Sequence, residues 1–361
     1  MEPVTHFLAG ACLSRAGFNR KTPLATVTMV LAAEASDLDM FAYFGGSAFG
    51  FAHHRGFTHT VWGIPLVAAF TLALVYGFHR LWCHWRDPRR PASAPPRVPP
   101  RWGLLYLYAC IAGFSHLLLD LTNNYGLRPF WPFFNHWYSW DIVFIVEPVI
   151  LILLIAALVF PALFSLISSE VGARQKGPRG RGWAIAALVG IVLLWGVRDY
   201  QHRRAIAALS ALDYQGQQPI RVAAMPYHSN PFVWNGLVET EGFYETVKVN
   251  SSTPEVDPNG RALIYYKPEP SDALHAAQAS YLGGVYMDWA MWPLMEVQHQ
   301  EAPEPGYRVL FRDLRFIYPE RHGTALGAFV QLDPKLHVVD EGFLSQHAAT
   351  ERLRPNGDDQ K

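Results

Sequence analysis

The run LLYLYACIAGFSHLLLDL, residues 104–121, decides how the rest of the chain is read. Its length approaches the roughly 20 apolar residues that carry a helix across a bilayer. Inside it His116 and Asp120 stand four residues apart, so on a helix both side chains share one face. A carboxylate within a span costs roughly 2.5–3.5 kcal/mol on insertion scales and normally faces a cavity or a partner. The functional reading is a pair of metal ligands, with Asn124 a further turn along the same face. The structural alternative is a His–Asp hydrogen bond that packs helices together.

Working outward, half of the 361 residues are hydrophobic and only 17% are charged, with a formal net charge of zero. That average joins two unlike halves. Residues 1–198 are dominated by apolar runs, whereas 199–361 carry charges, prolines and alternating strand-like segments, so the chain divides near Arg198. Candidate spans are Val61–Phe78, Leu104–Leu121, Ile142–Ile167 and Trp183–Val197, about four transmembrane helices. Leu24–Ala33 is too short to cross and reads as a buried or interfacial helix, which keeps His6 and Asp37 on one side of the membrane. The expected fold is therefore an α-helical polytopic membrane domain with an amino-terminal interfacial helical region, followed by a small α+β or β-rich soluble domain.

Short cytoplasmic loops are enriched in Lys and Arg. Arg80, Arg86, Arg89, Arg90, Arg97 and Arg101 fill one loop, and Arg174, Lys176, Arg179 and Arg181 another. Four spans put both loops in the cytoplasm. The His/Asp clusters and the carboxy-terminal half then face outward, into the periplasm of a Gram-negative cell. Arg15, Arg20 and Lys21 would lie outside as well, against the rule. No cleavable signal peptide is expected, because Glu2 and a brief apolar stretch stand where a basic flank and apolar core belong. Cys12, Cys83 and Cys110 are scattered and suggest no disulfide framework. The basic residues are accounted for by topology, which leaves direct nucleic-acid binding without electrostatic support.

The second polar cluster is SDLDMFAYFGGSAFGFAHHRGFTH, residues 36–59. An extended backbone would turn Asp37 and Asp39 to one face, and Gly45 and Gly46 favour an irregular loop. Helix capping by Ser36 or Asp37 is the alternative. His53, His54 and His59 supply imidazoles, of which His53 reads as an interfacial polar residue. Imidazole with carboxylate suits zinc, manganese or iron better than calcium. Arg55 is suited to clamp a phosphate or carboxylate, or to anchor the interface by snorkelling. His6 opens an apolar helical segment and is a further candidate ligand. His136 reads as surface, and Glu147 as a proton carrier or a partner to a ligand.

The order THFLAG, SDLD, HHRGFTHT, then HLLLDLTNNYGLRPFWPF resembles the LexA-binding, inner-membrane-associated hydrolases, also described as membrane-bound metal-dependent hydrolases. The likeness covers roughly residues 3–170, with a weaker match at NPFVWNGLVET, 230–240. It implies a multi-pass inner-membrane protein that hydrolyses its substrate with a bound divalent metal. Carried onto this chain, the polar positions fall on His6, Asp37, Asp39, His54, Arg55, His59, His116 and Asp120. The His, Asp, His, HxxxD order is also similar to that of zinc-dependent phospholipases C, without their later HxxxE helix. LexA as a partner is implied by the family name alone.

The leading expectation is a hydrolase acting on a lipid or lipid-linked ester or phosphoester. His6, Asp37, Asp39, His54, His59, His116 and Asp120 are its candidate ligands. Zinc is the first choice of metal and manganese the second. A free carboxylate of the Asp37/Asp39 pair would orient water, and Arg55 would stabilise developing charge. The rival is a non-enzymatic membrane assembly or stress-response protein with a structural His/Asp site; a proton-coupled transporter using Asp120 and Glu147 is a third class. In the carboxy-terminal half, strands are expected at 220–226, 232–240, 243–250, 262–268, 307–318 and 328–334, with helices at 199–212, 273–279 and 286–297. His228, Asn230 and Trp234 there read as turn and buried core rather than a binding face. An alkaline-phosphatase fusion after Leu212 should be active; an inactive fusion would reverse the compartment.

Overall fold

The computed structural model describes residues 1–89, 91, 93–170, 180–227, 230–301, 305–318 and 326–344, with the side chains of 165–170 left out. Arg90, Arg174, Lys176, Arg179 and His228 of the expectations above lie outside them. The chain forms two compact units, Met1–Asp39 with Arg55–Val197, and Met40–His54 with Arg198–Lys361.

In the first unit α1 (Pro3–Arg15) begins at Glu2, whose carboxylate accepts the Thr5 N–H, with Pro3 at the first helical position, where its missing donor costs nothing. It pairs with α2 (Ala25–Glu34) through small residues. A Cβ on Gly10 would meet the Met29 carbonyl at 2.8 Å and the Ala33 Cβ at 3.0 Å, so only glycine lets the backbones approach this far. α2 is a buried helix: Ala25, Met29, Ala32 and Ala33 pack with Leu105, Tyr108, Ala109 and Ala112 of α5 (Trp102–Leu121). α4 (Gly63–Arg86) lies alongside, and α3 (Ser47–His53) belongs to the other unit. A second apolar cluster joins Ala9 and Cys12 to Leu119, to Ile150 and Leu154 of α6 (Pro148–Glu170), and to Ala187 and Ile191 of α7 (Arg181–Ser210).

Among the described residues three helices are long and apolar enough to cross a membrane, Gly63–Arg89, Trp102–Leu121 and Arg181–Ser210, and Pro148–Phe164 is a shorter apolar helix. The outward faces are apolar, as a lipid solvent requires: Leu66, Phe78, Ile152, Val192 and Leu193 are all exposed. Two expectations are corrected. The third apolar run does not become helix at Ile142, because the Ile142 and Val143 N–H groups both donate to the Thr122 carbonyl, and the helix starts at Pro148. Arg15, Arg20 and Lys21 do not share an end with His6. The α1–α2 hairpin carries its turn to the far end, where Arg181 Nε donates to the Ala16 carbonyl at 2.9 Å and the Arg101 N–H to Thr22 Oγ1 at 2.9 Å. The basic residues of the turn thus join those that open α5 and α7.

The second unit contains two antiparallel sheets among its described residues. One is formed by β1 (Arg221–Pro226), β2 (Val233–Glu239), β3 (Phe243–Asn250), β4 (Glu255–Val256) and β5 (Leu263–Tyr266). The other is formed by β6 (Pro293–Gln300), β7 (Gly306–Asp313), β8 (Ala328–Leu332) and β9 (Val338–Phe343). The expected helix at 286–297 is divided: α9 (Tyr281–Trp289) follows α8 (Asp272–Ala279) and stops, and 293–300 is β6. Pairing with β7 along its whole length overrides any local helical preference there. Trp234 is fully buried, its Nε1 donating to Ser251 Oγ, and Asn230 closes a turn by accepting the Phe232 N–H. Met40–His54 folds with this unit, Phe51 packing against Tyr286, Trp289 and Phe343.

The α1–α2 contact makes a stability prediction. Gly10→Ala should destabilise the fold by about 1–3 kcal/mol through overpacking, read as a lower Tm in detergent. Gly77→Ala on α4, where a Cβ meets nothing within 4 Å, should not lower it.

Candidate metal centre

His116 and Asp120 come from the last turns of α5, and His59 from a short 3₁₀ turn (Phe57–His59) four residues before α4 begins. Asp37 and Asp39 lie in a 3₁₀ run, Ala35–Gly45, that continues directly from α2. Of the two backbones considered for SDLD, extended or helical, the segment takes the helical one. Three residues per turn separate the two carboxylates angularly, and they bracket His59 instead of sharing a face: Asp37 Oδ1 lies 3.4 Å from Nε2, and Asp39 Oδ2 lies 3.1 Å from Nδ1.

Asp37, His59, His116 and Asp120 could together hold a metal ion, each offering one ligand atom, all within 4.8 Å of one another. His59 Nε2 stands 3.0 Å from His116 Nε2 and 3.5 Å from Asp120 Oδ2. His116 Nε2 stands 3.6 Å from Asp37 Oδ1 and 3.5 Å from Asp120 Oδ2. Ligand bonds of about 2.0–2.2 Å around a tetrahedral zinc set ligand–ligand edges of about 3.3–3.6 Å. The four distances between an imidazole nitrogen and a carboxylate oxygen, 3.4–3.6 Å, match such an ion, the two imidazoles at 3.0 Å stand closer than it sets, and nitrogen and carboxylate oxygen are donors that suit it.

The tautomers sharpen this fit. The Ala33 carbonyl, 2.6 Å from His116 Nδ1, can only accept, so that nitrogen carries the proton. At His59 Nδ1 the Asp39 Oδ2 carboxylate, 3.1 Å away, favours a proton in the same way, beside the Thr58 hydroxyl at 3.1 Å. Both Nε2 atoms then present lone pairs to each other at 3.0 Å. Two facing acceptors require a positive centre between them, either a further proton or a metal ion. A histidine whose far nitrogen is fixed by a carboxylate or carbonyl is the usual form of a metal-ligating imidazole.

Around this group, Arg55 has φ +52°, a left-handed backbone that directs its N–H to Asp39 Oδ2 at 2.7 Å. Its guanidinium reaches Asp120 Oδ1 at 2.8 Å, the Gly126 carbonyl at 2.7 Å and the face of Tyr125. The Met1 amino group also contacts Asp120 Oδ1. His6 stacks on His116 with ring centroids 3.7 Å apart, its Nε2 3.5 Å from Asp120 Oδ1. Among the described residues neither His6 nitrogen has a hydrogen-bond partner. Burial holds the His6 pKa well below the usual histidine value. Burial works against the Asp37 carboxylate, but the His59 and His116 imidazoles beside it outweigh burial and lower its pKa.

Of the remaining candidates, His54 and His53 fold with the second unit, beside Tyr43 and Phe49. His136 is exposed, and Glu147 is buried. Asn124 is buried, and Asn123 before it has its Nδ2 3.5 Å from Asp120 Oδ1 and its Oδ1 facing Arg55. The Ala33 and Gly126 carbonyls were missed because a backbone acceptor leaves no mark in a side-chain pattern.

Apolar helices around a buried His/Asp group describe a polytopic membrane protein with a potential metal centre. The chain belongs to the YdjM inner membrane protein family, whose model matches residues 1–205. No curated protein and no solved structure matches it. The family and the apolar helices support an inner-membrane location.

Proposed function

We propose that this protein is a membrane-bound metal-dependent hydrolase in which His59, His116 and Asp120 would hold a divalent ion and Asp37 would act on the water beside it. The observation that carries this reading is the convergence of the His59 and His116 Nε2 atoms with one carboxylate oxygen each of Asp37 and Asp120, all within 4.8 Å of one another. Zinc suits these donors best, with manganese the alternative. A divalent ion here supplies a Lewis acid that lowers the pKa of water from about 15.7 to about 7.

The side chains divide the remaining work. Asp37 is the most exposed of the four, with 18% of its side chain accessible against 0–1% for the others, and it accepts the proton of the attacking water. Asp39 orients His59 through Nδ1 and keeps Nε2 free to bind. The Arg55 guanidinium is committed to Asp120, Asn123 and Gly126, so its role is to position Asp120. His59 precedes α4 and Asp120 lies in the last turn of α5, both candidate spans, and that position favours a lipid or lipid-linked ester or phosphoester. The basic residues of the α1–α2 turn, α5 and α7 gather at the opposite end, which favours the outer face for the site and, with the expected spans, for the carboxy-terminal half.

The four-donor count also favours a second reading, a structural metal in a non-enzymatic membrane assembly protein, because four protein ligands would leave no position for water. Asp37→Asn separates the two. In the hydrolase it keeps near-stoichiometric metal by elemental analysis and lowers kcat on a lipid ester or phosphoester by roughly 10²–10⁴-fold. In the structural site it loses metal. Asp120→Ala should lose both metal and activity while remaining folded; full retention of both would contradict either reading.

A further inference from the structure

The segment between α5 and α6 is a hairpin whose base and tip do different things. At the base, Leu127 and Tyr138 exchange backbone hydrogen bonds of 2.9 Å, and the Trp140 N–H donates to the Leu121 carbonyl at 2.7 Å, which fastens it to the end of α5. The Val61 N–H donates to the Pro129 carbonyl at 2.9 Å, which fastens it to the approach to α4. Gly126, beside this base, supplies the carbonyl that Arg55 grips. At the tip, the Phe133 and Phe134 N–H groups both turn back to the Phe130 carbonyl. The rings of these last two residues are 72% and 68% exposed. Nothing in a folded interior accounts for two such rings on a loop this firmly anchored.

What lies next to them identifies the occupant. Trp62, Leu66, Phe70, Leu74 and Phe78 recur every fourth residue along α4 and are all exposed, which is the lipid-facing stripe of a spanning helix. Phe133 packs edge-on against Trp62 with ring centroids 6.0 Å apart. The hairpin tip therefore continues that stripe past the point where the helix begins. Aromatic side chains at the end of a span settle at headgroup level.

We infer that the Phe130–Phe134 tip is a membrane seat: it inserts into the headgroup–acyl boundary of the leaflet nearest the His/Asp group. The partner is the lipid surface itself, and the contact holds whether or not the group binds a metal. Because the same hairpin braces Arg55 at its base, the seat also fixes the depth at which that group meets the bilayer.

Two measurements on the full chain in nanodiscs of phosphatidylethanolamine and phosphatidylglycerol test this. With p-benzoylphenylalanine in place of Phe134, illumination should yield lipid adducts by mass spectrometry; adducts only to protein, including a second copy of this chain, would overturn the proposal. In the unsubstituted chain, hydroxyl-radical oxidation of Phe133 and Phe134 should be lost while that of exposed Tyr281 persists. Oxidation of the two phenylalanines keeping pace with Tyr281 would overturn it without reference to any variant's folding.

Discussion

Two imidazole nitrogens, on rings whose other nitrogens face acceptors, stand 3.0 Å apart inside an apolar bundle, and the candidate centre depends on that contact. Left alone it is repulsive, and in a low-dielectric interior the repulsion is poorly screened. A cation between them turns it into an attraction shared with the Asp37 and Asp120 carboxylates. The same cation would offset the cost of placing Asp120 in a spanning helix.

The surrounding architecture serves to maintain that contact. α2 is pressed against α5 by small residues, which brings the Ala33 carbonyl within 2.6 Å of His116 and fixes its tautomer. Gly10 lets α1 close on α2, and α1 in turn stacks His6 on His116. The left-handed backbone at Arg55 links the two acidic segments, its N–H on Asp39 and its guanidinium on Asp120. Few of these contacts would survive alone in water. Inside the bundle they support one another, since each orders a group that the next requires.

Much of this was legible before any coordinates. The apolar runs, the His116–Asp120 spacing and the unusual density of His and Asp in residues 36–59 marked the membrane helices and the candidate group, and the alternating segments beyond Arg198 marked most of the strands. What escaped depended on tertiary context. Whether Asp37 and Asp39 share a face depends on the backbone, extended or helical, and the 3₁₀ geometry it adopts sets them on either side of His59. The α1–α2 hairpin reverses the side of Arg15, which no local pattern announces. Residues 293–300 carry weak preferences and became a strand because β7 was there to pair with them. His54 sits one residue from Arg55 in sequence yet folds with the other unit.

The central claim, that His59 and His116 converge on a metal ion, is tested most directly by X-ray absorption spectroscopy of the purified chain at the edge of whatever metal it carries. A first shell of nitrogen and oxygen at about 2.0–2.1 Å, with outer-shell scattering from two imidazoles that disappears in His116→Ala, is the predicted result. A protein that takes up no zinc or manganese on reconstitution, or a bound ion without imidazole scattering, would contradict it and leave a shared proton as the positive centre between the two rings.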